Sequence, residues 1–154
     1  MKDRFPTGSG FSFIRTFINF TEINNLGMFN FFKTQHIYIR IFTDKIQVRH
    51  LEKNRTVVRD AIEKFSSERS LIATLSTAES LAFKILHEIS GKKMLSPALN
   101  VLIQPMDKVE GGISEIETVL LSNFGEHLGG KKVVVYENKE MLSDDQVMAV
   151  LGSK

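Results

Sequence analysis

The sequence contains no cysteine and no tryptophan, and none of its hydrophobic runs is long enough to cross a membrane. The lack of cysteine excludes disulfides, thiolate zinc sites and a cysteine nucleophile. An excess of one charge is also missing, because 20 Lys and Arg side chains balance 18 Asp and Glu, leaving a net charge of +2. This balance argues against a nucleic-acid partner. We find no secretory signal and therefore expect a cytoplasmic protein.

Phenylalanine is concentrated at the N-terminus of the 154-residue chain. Eight of the 12 Phe residues lie within residues 1–32, and residues 1–36 carry four basic and two acidic side chains, so the whole net charge lies there. Glycine and asparagine interrupt this segment repeatedly. We therefore predict a Phe-rich flexible leader over 1–36 and a single domain over 37–154. Met28 is an alternative natural start.

Three short segments after the leader have the period of a β-strand. Apolar residues alternate with polar ones over 37–42 and 46–51, and β-branched residues follow from 56. The connections between these segments are short and polar, so we expect three antiparallel neighbours. Residues 70–75 are a further candidate strand.

The remainder of the chain alternates helices with strands. Two apolar segments, 98–103 and 131–136, are predicted to be buried parallel strands. Each helix is predicted to begin at a capping box, in which Ser pairs with a Glu or Gln three residues later: Ser76–Glu79, Ser114–Glu117 and Ser143–Gln146. In the second helix we expect an apolar face made of Ile116, Val119, Leu120 and Phe124. The order β-β-β-α-β-α-β-α predicts an α/β mixed sheet of the ribonuclease-H-like fold, which actin-like ATPases also have.

Several stretches resemble a known family. Residues 97–150 are similar to the end of the first subdomain of the bacterial actin MreB. Met28-Phe29, 37–41 (Ile-Tyr-Ile-Arg-Ile) and the stretch from 103 to 117 resemble the short, MreB-related rod shape-determining proteins of bacteria even more closely. The resemblance implies an actin-like domain with a role in bacterial cell shape. It implies action by binding, either to a second copy, to a full-length actin homologue or to the membrane.

The sequence departs from the actin family where nucleotide would bind. In that family the first hairpin carries an Asp and a Gly-Thr that hold magnesium and the phosphates. Here residues 39–45 read Ile-Arg-Ile-Phe-Thr-Asp-Lys, with no acid in the strand and no glycine in the turn. The family's second phosphate loop and adenosine site belong to a second half, which we do not expect within these 154 residues. We therefore predict no nucleotide site, no catalytic residue and no cofactor.

An enzyme on the same fold is the alternative. A metal-dependent nuclease or a weak nucleotide hydrolase would need carboxylates clustered on one rim of the sheet. The centre of the first strand should carry one of them, but position 40 is Arg. The remaining candidates (Asp44, Asp60, Glu79 and Asp107) are expected to be solvated acids or caps. The four histidines show no ligand spacing, so we predict no metal site.

Gly111 and Gly112 precede a predicted helix, where backbone N–H groups can bind an anion. The Ser114–Glu117 box would satisfy those N–H groups, so we expect only a loop and a helix start.

The leader ends in a group of aromatic and basic side chains that is a candidate membrane contact. Phe29, Phe31, Phe32 and Lys33 lie just ahead of the first strand. They predict a weak contact with a membrane surface and a peripheral location at the inner membrane. The alternative is that these Phe residues fold back over an incompletely covered face of the sheet.

The first two strands carry a second candidate contact. Arg40 and Arg49 alternate with isoleucines and valines. Because the few helices should cover only one face fully, we expect these arginines on a partly wet face that is available to a protein partner.

Overall fold

The computed structural model describes residues 34–91 and 98–152; the predicted leader therefore lies almost entirely outside the described residues. Within those ranges the elements are β1 (Gln35–Phe42), β2 (Lys45–His50), β3 (Arg55–Asp60), α1 (Leu75–Ser90), β4 (Leu99–Pro105), α2 (Glu115–His127), β5 (Gly130–Val135) and α3 (Asp144–Val150). The predicted order β-β-β-α-β-α-β-α is confirmed. The first strand begins two residues earlier than expected, at Gln35.

The strands form one sheet in the order β3-β2-β1-β4-β5. β2 is antiparallel to both β1 and β3, whereas β4 is parallel to β1 and to β5. A two-residue turn, Thr43-Asp44, joins β1 to β2, with Asp44 at a φ of 52°. Tight turns of this kind favour antiparallel neighbours. Parallel neighbours need longer crossovers, and here the crossover through α1 places β4 beside β1 and the crossover through α2 places β5 beside β4. The mixed sheet with this order confirms the predicted ribonuclease-H-like, actin-like fold class.

One face of the sheet carries the main core. Ile37, Ile39 and Ile41 of β1 have no solvent exposure. α1 covers them with buried residues spaced three or four apart, as expected of an amphipathic helix: Ala78, Ala82, Ile85, Leu86 and Ile89. Burial of each large apolar side chain contributes roughly 1.5–3 kcal/mol, so this face supplies most of the hydrophobic stabilisation.

The second face is covered over β1 and β4. Its smaller cluster consists of Tyr38, Leu102, Val147 and Leu151, the last two from α3 and the residue that follows it. Arg40, on the same face as Tyr38, is only 8% exposed. The expectation of a partly wet face at Arg40 is therefore wrong. On this face the last helix packs against Tyr38, and the segment 136–142 is bonded to Tyr38 and to Gln104, the register partner of Arg40.

Two of the three predicted capping boxes are confirmed, at Ser114 and at Ser143. The box at Ser76 is wrong. α1 begins at Leu75 after Thr74, whose side chain makes no capping hydrogen bond. Glu79, the expected partner of Ser76, instead contacts Nδ1 of His127 at 2.6 Å, so its carboxylate joins α1 to the end of α2.

Three further predictions differ from the structure: the apolar face of α2, the burial of β5 and the strand expected at 70–75. Ile116 is 81% exposed and Val119 is 58% exposed, so they do not belong to the core face of α2. That face instead buries Leu121, Phe124 and Gly125. β5 is an edge strand, and its valines are half-buried rather than buried as predicted. Residues 70–75 contain no strand and lead into α1 as bends.

Candidate functional site

The carboxyl ends of β1 and β4 are the natural place to look for a ligand site. In open α/β sheets, ligands bind outside the carboxyl ends of the strands. Here that region contains the β1–β2 turn and the side chains that face it, which we call the strand-end site: Arg40, Thr43, Asp44, Gln104 and Asp107. It corresponds to the hairpin in which the sequence lacks the family's acid and glycine.

The backbone of the turn is already hydrogen-bonded. Thr43 N–H donates to Oδ2 of Asp107 at 2.7 Å. Asp44 N–H donates to Oγ of Ser66 at 3.1 Å. Oδ1 of Asp44 accepts from the N–H groups of Phe65 and Ser66 at 2.9 and 2.8 Å. The hydrogen bond from Ser66 N–H is the largest cause that lowers the pKa of the Asp44 carboxyl below its usual value, and the bond from Phe65 N–H adds to it.

This arrangement opposes phosphate binding. A phosphate cradle needs several backbone N–H groups that point at the anion and are free to bind it. In the turn these groups are occupied, and two carboxylates, those of Asp44 and Asp107, lie where a phosphate would approach. Within the strand-end site, the β1–β2 turn is therefore closed to an anion and locally acidic.

Arg40 lies near the carboxyl end of β1, beside Gln104 of β4 in the strand register. Its Nε is buried and has no hydrogen-bond partner in the part of the chain that the structure describes. The guanidinium carbon lies 5.7 Å from the centroid of the Tyr38 ring, a cation–π distance. A buried cation at this position repels a divalent metal ion. The alternating pattern could not reveal this burial, because it predicts which residues share a face but not what covers that face.

A polar network fastens the loop 136–142 over the sheet. The Tyr38 hydroxyl donates to Oε1 of Gln104, and Nε2 of Gln104 donates to the carbonyls of Asn138 and, at 2.9 Å, of Glu140. Leu142 N–H donates to the Tyr38 hydroxyl at 3.3 Å. Burial raises the pKa of Tyr38. Since Gln104 is fully buried and both ends of its amide are bonded, the network is structural.

Arg49, the second predicted contact residue, is partly exposed but already paired. Its Nε and Nη2 each donate to a carboxylate oxygen of Asp144 at 2.6 Å. Nη1 donates to Oγ1 of Thr56 at 3.0 Å, and Nη2 also donates to Oδ1 of Asn54 at 2.8 Å. Its guanidinium therefore fastens α3 to β2, and its predicted contact with a partner stays a prediction.

The remaining predicted contact residues, Phe29, Phe31, Phe32 and Lys33, lie outside the described residues. Gly111 and Gly112 adopt φ values of 87° and 90° in an exposed loop, ahead of an α2 start that Ser114 caps. Their expected role as loop and helix start agrees with this geometry.

No group of three or more His, Cys, Asp or Glu side chains among residues 34–91 and 98–152 could hold a metal ion. No helix in these ranges is long and apolar enough to span a bilayer.

A buried polar cluster at the opposite end of β1 was missed by the sequence reasoning. His36 and His50 are 5% and 1% exposed, and both contact the carboxylate of Glu52, at 2.5 and 3.3 Å. Burial alone would raise the pKa of Glu52, but hydrogen bonds from His50 and from the backbone and side chain of His36 outweigh it and lower that pKa to about 2. The sequence offered one indication of this cluster: His50 and Glu52 lie two positions apart at the end of a predicted strand.

Comparisons with known proteins gave one structural likeness. No protein-family model matches the sequence. No curated protein matches it either. The crystal structure of MreB5 of Spiroplasma citri bound to ADP resembles the chain with a TM-score of 0.44 and 14% identity, over 68% of this chain and 38% of that one. Because the likeness spans only 38% of that protein, it assigns neither activity nor ligand to this chain.

Proposed function

We propose that this chain is a non-catalytic, MreB-like binding module with a role in bacterial cell shape, which acts through a protein partner and not through a nucleotide. One observation carries the proposal: the backbone N–H groups of the β1–β2 turn are already bonded to Asp107 and Ser66, and the strand that leads into this turn carries the buried Arg40. The motifs at 37–41 and 103–117 support the MreB-like assignment.

The closed turn is the reason to set nucleotide aside. MreB5 is bound to ADP in its crystal structure. To bind such a ligand here, the phosphates would have to displace Asp107 from Thr43 N–H and approach the carboxylate of Asp44. Two like charges about 4 Å apart repel by roughly 1–4 kcal/mol near a protein surface. The turn has no glycine that would let its backbone N–H groups close on the anion in compensation.

Arg40 is the reason to set the metal-dependent nuclease aside. That chemistry needs carboxylates around two metal ions, with one acid at the centre of the first strand. The guanidinium at this position is buried and has no carboxylate beside it in the described ranges. A cation there repels the metal ions that the reaction requires.

With nucleotide and catalytic metal ions set aside, we propose a protein as the binding partner. Either a second copy or a full-length actin homologue would be engaged by a domain of this fold. We place the protein in the cytoplasm, with peripheral contact at the inner membrane through Phe29, Phe31, Phe32 and Lys33.

Thermal melting with nucleotide tests the first half of the proposal. A ligand present at 100 times its Kd adds about 2.7 kcal/mol of stability, which is easily detected. We expect no change in Tm with Mg-ADP or Mg-ATP, or with Mg²⁺ or Mn²⁺ alone. A purified full-length MreB, melted in parallel, should respond to the nucleotides. A saturable rise in the Tm of this chain would overturn the non-catalytic reading.

Co-sedimentation tests the second half. The chain is mixed with polymerised full-length MreB and centrifuged, with an unrelated soluble protein of similar mass as the control. We expect either saturable co-pelleting or concentration-dependent self-association of the chain alone. A chain that stays monomeric and remains in the supernatant contradicts a binding module.

A further inference from the structure

β3 is an edge of the sheet, and among the described residues no strand pairs with its outer side. Five of its six residues are exposed, including Val58 at 42%. Ala61 N–H donates inward to the Asp44 carbonyl at 2.7 Å. Because backbone direction alternates along an antiparallel strand, the N–H and C=O groups of Thr56, Val58 and Asp60 point away from β2. No backbone hydrogen bond reaches these outward groups in the described ranges.

A groove of about 540 Å³ runs between β3 and α1. The α1 wall bears small hydroxyl side chains, Ser76, Thr77 and Ser80, and Leu81 and Ile85 supply apolar surface. A strand added to β3 would direct alternate side chains to this side of the sheet. The small residues of α1 leave the space that those side chains need.

The side chain of Arg59 occupies one of the outward carbonyl groups of β3. Nη1 of Arg59 donates to the outward carbonyl of Val58 at 2.8 Å. Nη2 of Arg59 contacts both carboxylate oxygens of Glu88 at 2.7 and 2.8 Å. Charged side chains over an edge limit strand addition. An incoming strand must therefore displace one exposed nitrogen of Arg59 from Val58, while its pairing with Glu88 can remain.

We propose that β3 binds the β3 strand of a second copy of this chain, antiparallel and about a two-fold axis at Val58, so that the two sheets become continuous. This deepens the proposed function and rests on it, since it names the partner and surface of the binding module. Only registers that oppose outward residues to outward residues can form the hydrogen bonds.

Charge selects between the two longest such registers. A register centred on Val57 places Arg55 directly opposite Arg59 of the second copy, which is destabilising. A register centred on Val58 opposes Thr56 to Asp60 and Val57 to Arg59, and it brings the two half-exposed Val58 side chains together. The second register opposes no like charges, so it is the one that we assign.

Sedimentation velocity of the full chain over a range of concentrations tests the proposal. We expect a monomer–dimer equilibrium in the wild type. Val58→Pro removes an outward N–H and no inner ladder bond, so it should weaken dimerisation by about tenfold or more. Val58→Thr keeps the N–H and should resemble the wild type. Arg59→Ala frees the Val58 carbonyl from the Arg59 side chain and should strengthen dimerisation.

A folded Val58→Pro variant that dimerises like the wild type overturns the proposal. So does a monomer at every concentration in both the wild type and Arg59→Ala. If Val58→Pro does not fold, amide hydrogen exchange of the wild type decides: protection of Thr56, Val58 and Asp60 must rise with protein concentration, and unchanged exchange overturns the pairing. The nucleotide melting result is independent of all these outcomes, so the two proposals fail separately.

Discussion

Arg49 on β2 and Asp144, the first residue of α3, form a two-pronged ion pair with both N–O distances at 2.6 Å. The pair joins the hairpin to the short helix that covers the second face of the sheet. It also places a carboxylate at a helix N-terminus, where negative charge is favourable. The hydrogen bond from Arg49 lowers the pKa of Asp144, so the pair stabilises the fold above the ordinary Asp pKa and is lost as pH falls below it.

Asp144→Asn should therefore destabilise the protein. We expect a loss of about 1 kcal/mol, because the pair is partly exposed and screened by solvent, and a fall in Tm of roughly 2–4 °C. Asp145→Asn is the matched control, since it removes an equivalent charge from the same first turn without touching Arg49. Urea unfolding at neutral pH measures both. Equal losses in the two variants would show that only the helix terminus matters.

The His36–Glu52–His50 cluster predicts an acid-sensitive stability. Because the pKa of Glu52 is lowered from 4.5 to about 2, its contribution is complete above pH 4.5 and is lost as pH falls toward 2. Glu52→Gln should remove this dependence and cost on the order of 2 kcal/mol at neutral pH. The measurement is the free energy of unfolding against pH, with the exposed Glu126→Gln as control. An acid limb that is unchanged in Glu52→Gln contradicts the assignment.

Local patterns predicted the elements well, and the covering of the sheet poorly. Ser114 and Ser143 act over four residues, so their capping boxes could be read directly from the sequence. Tyr38, which shares this face of β1 with Arg40, is bonded to Leu142, 104 residues away in the chain, and a strand's alternation contains no information about such a cover. In the same way, the helical period could not reveal that α2 turns Gly125 toward the sheet and Ile116 toward solvent.

Gly125 sets how closely α2 approaches the sheet. A Cβ added there would lie 2.6 Å from Cγ1 of Val133 and 2.9 Å from Cδ1 of Ile103. Gly125→Ala should therefore destabilise by about 1–3 kcal/mol through overpacking, although alanine is the better helix former. Asn123→Ala in the same helix is exposed and should be neutral or slightly stabilising. Thermal melting compares them, and a raised Tm in Gly125→Ala would refute the close approach.

Arg40 and Arg49 differ in whether a carboxylate contacts the guanidinium, so Arg→Met substitutions at the two positions can be compared. Arg40 is buried without an ion-pair partner in the described ranges, so Arg40→Met should leave stability unchanged or raise it by about 1 kcal/mol. Arg49→Met loses the contact with Asp144 and should lower stability. Chemical denaturation of both variants gives the comparison. A large loss in Arg40→Met would mean that Arg40 has a stabilising partner, and it would weaken the case that it excludes a metal.

Membrane contact is the prediction for the leader. Each Phe buried in a bilayer interface contributes at best about 1.5–3 kcal/mol, and one basic group about 1 kcal/mol on an anionic surface. Ordering the segment opposes this, so binding of one copy should be weak and reversible, and a dimer should bind better. In flotation with anionic liposomes, the wild type should float, whereas the triple serine variant of Phe29, Phe31 and Phe32 should stay at the bottom. The control replaces three Phe residues further upstream, Phe11, Phe13 and Phe17. Equal flotation of the two triple variants, or unfolding of the first, contradicts a membrane contact at this place and favours Phe residues that cover the sheet.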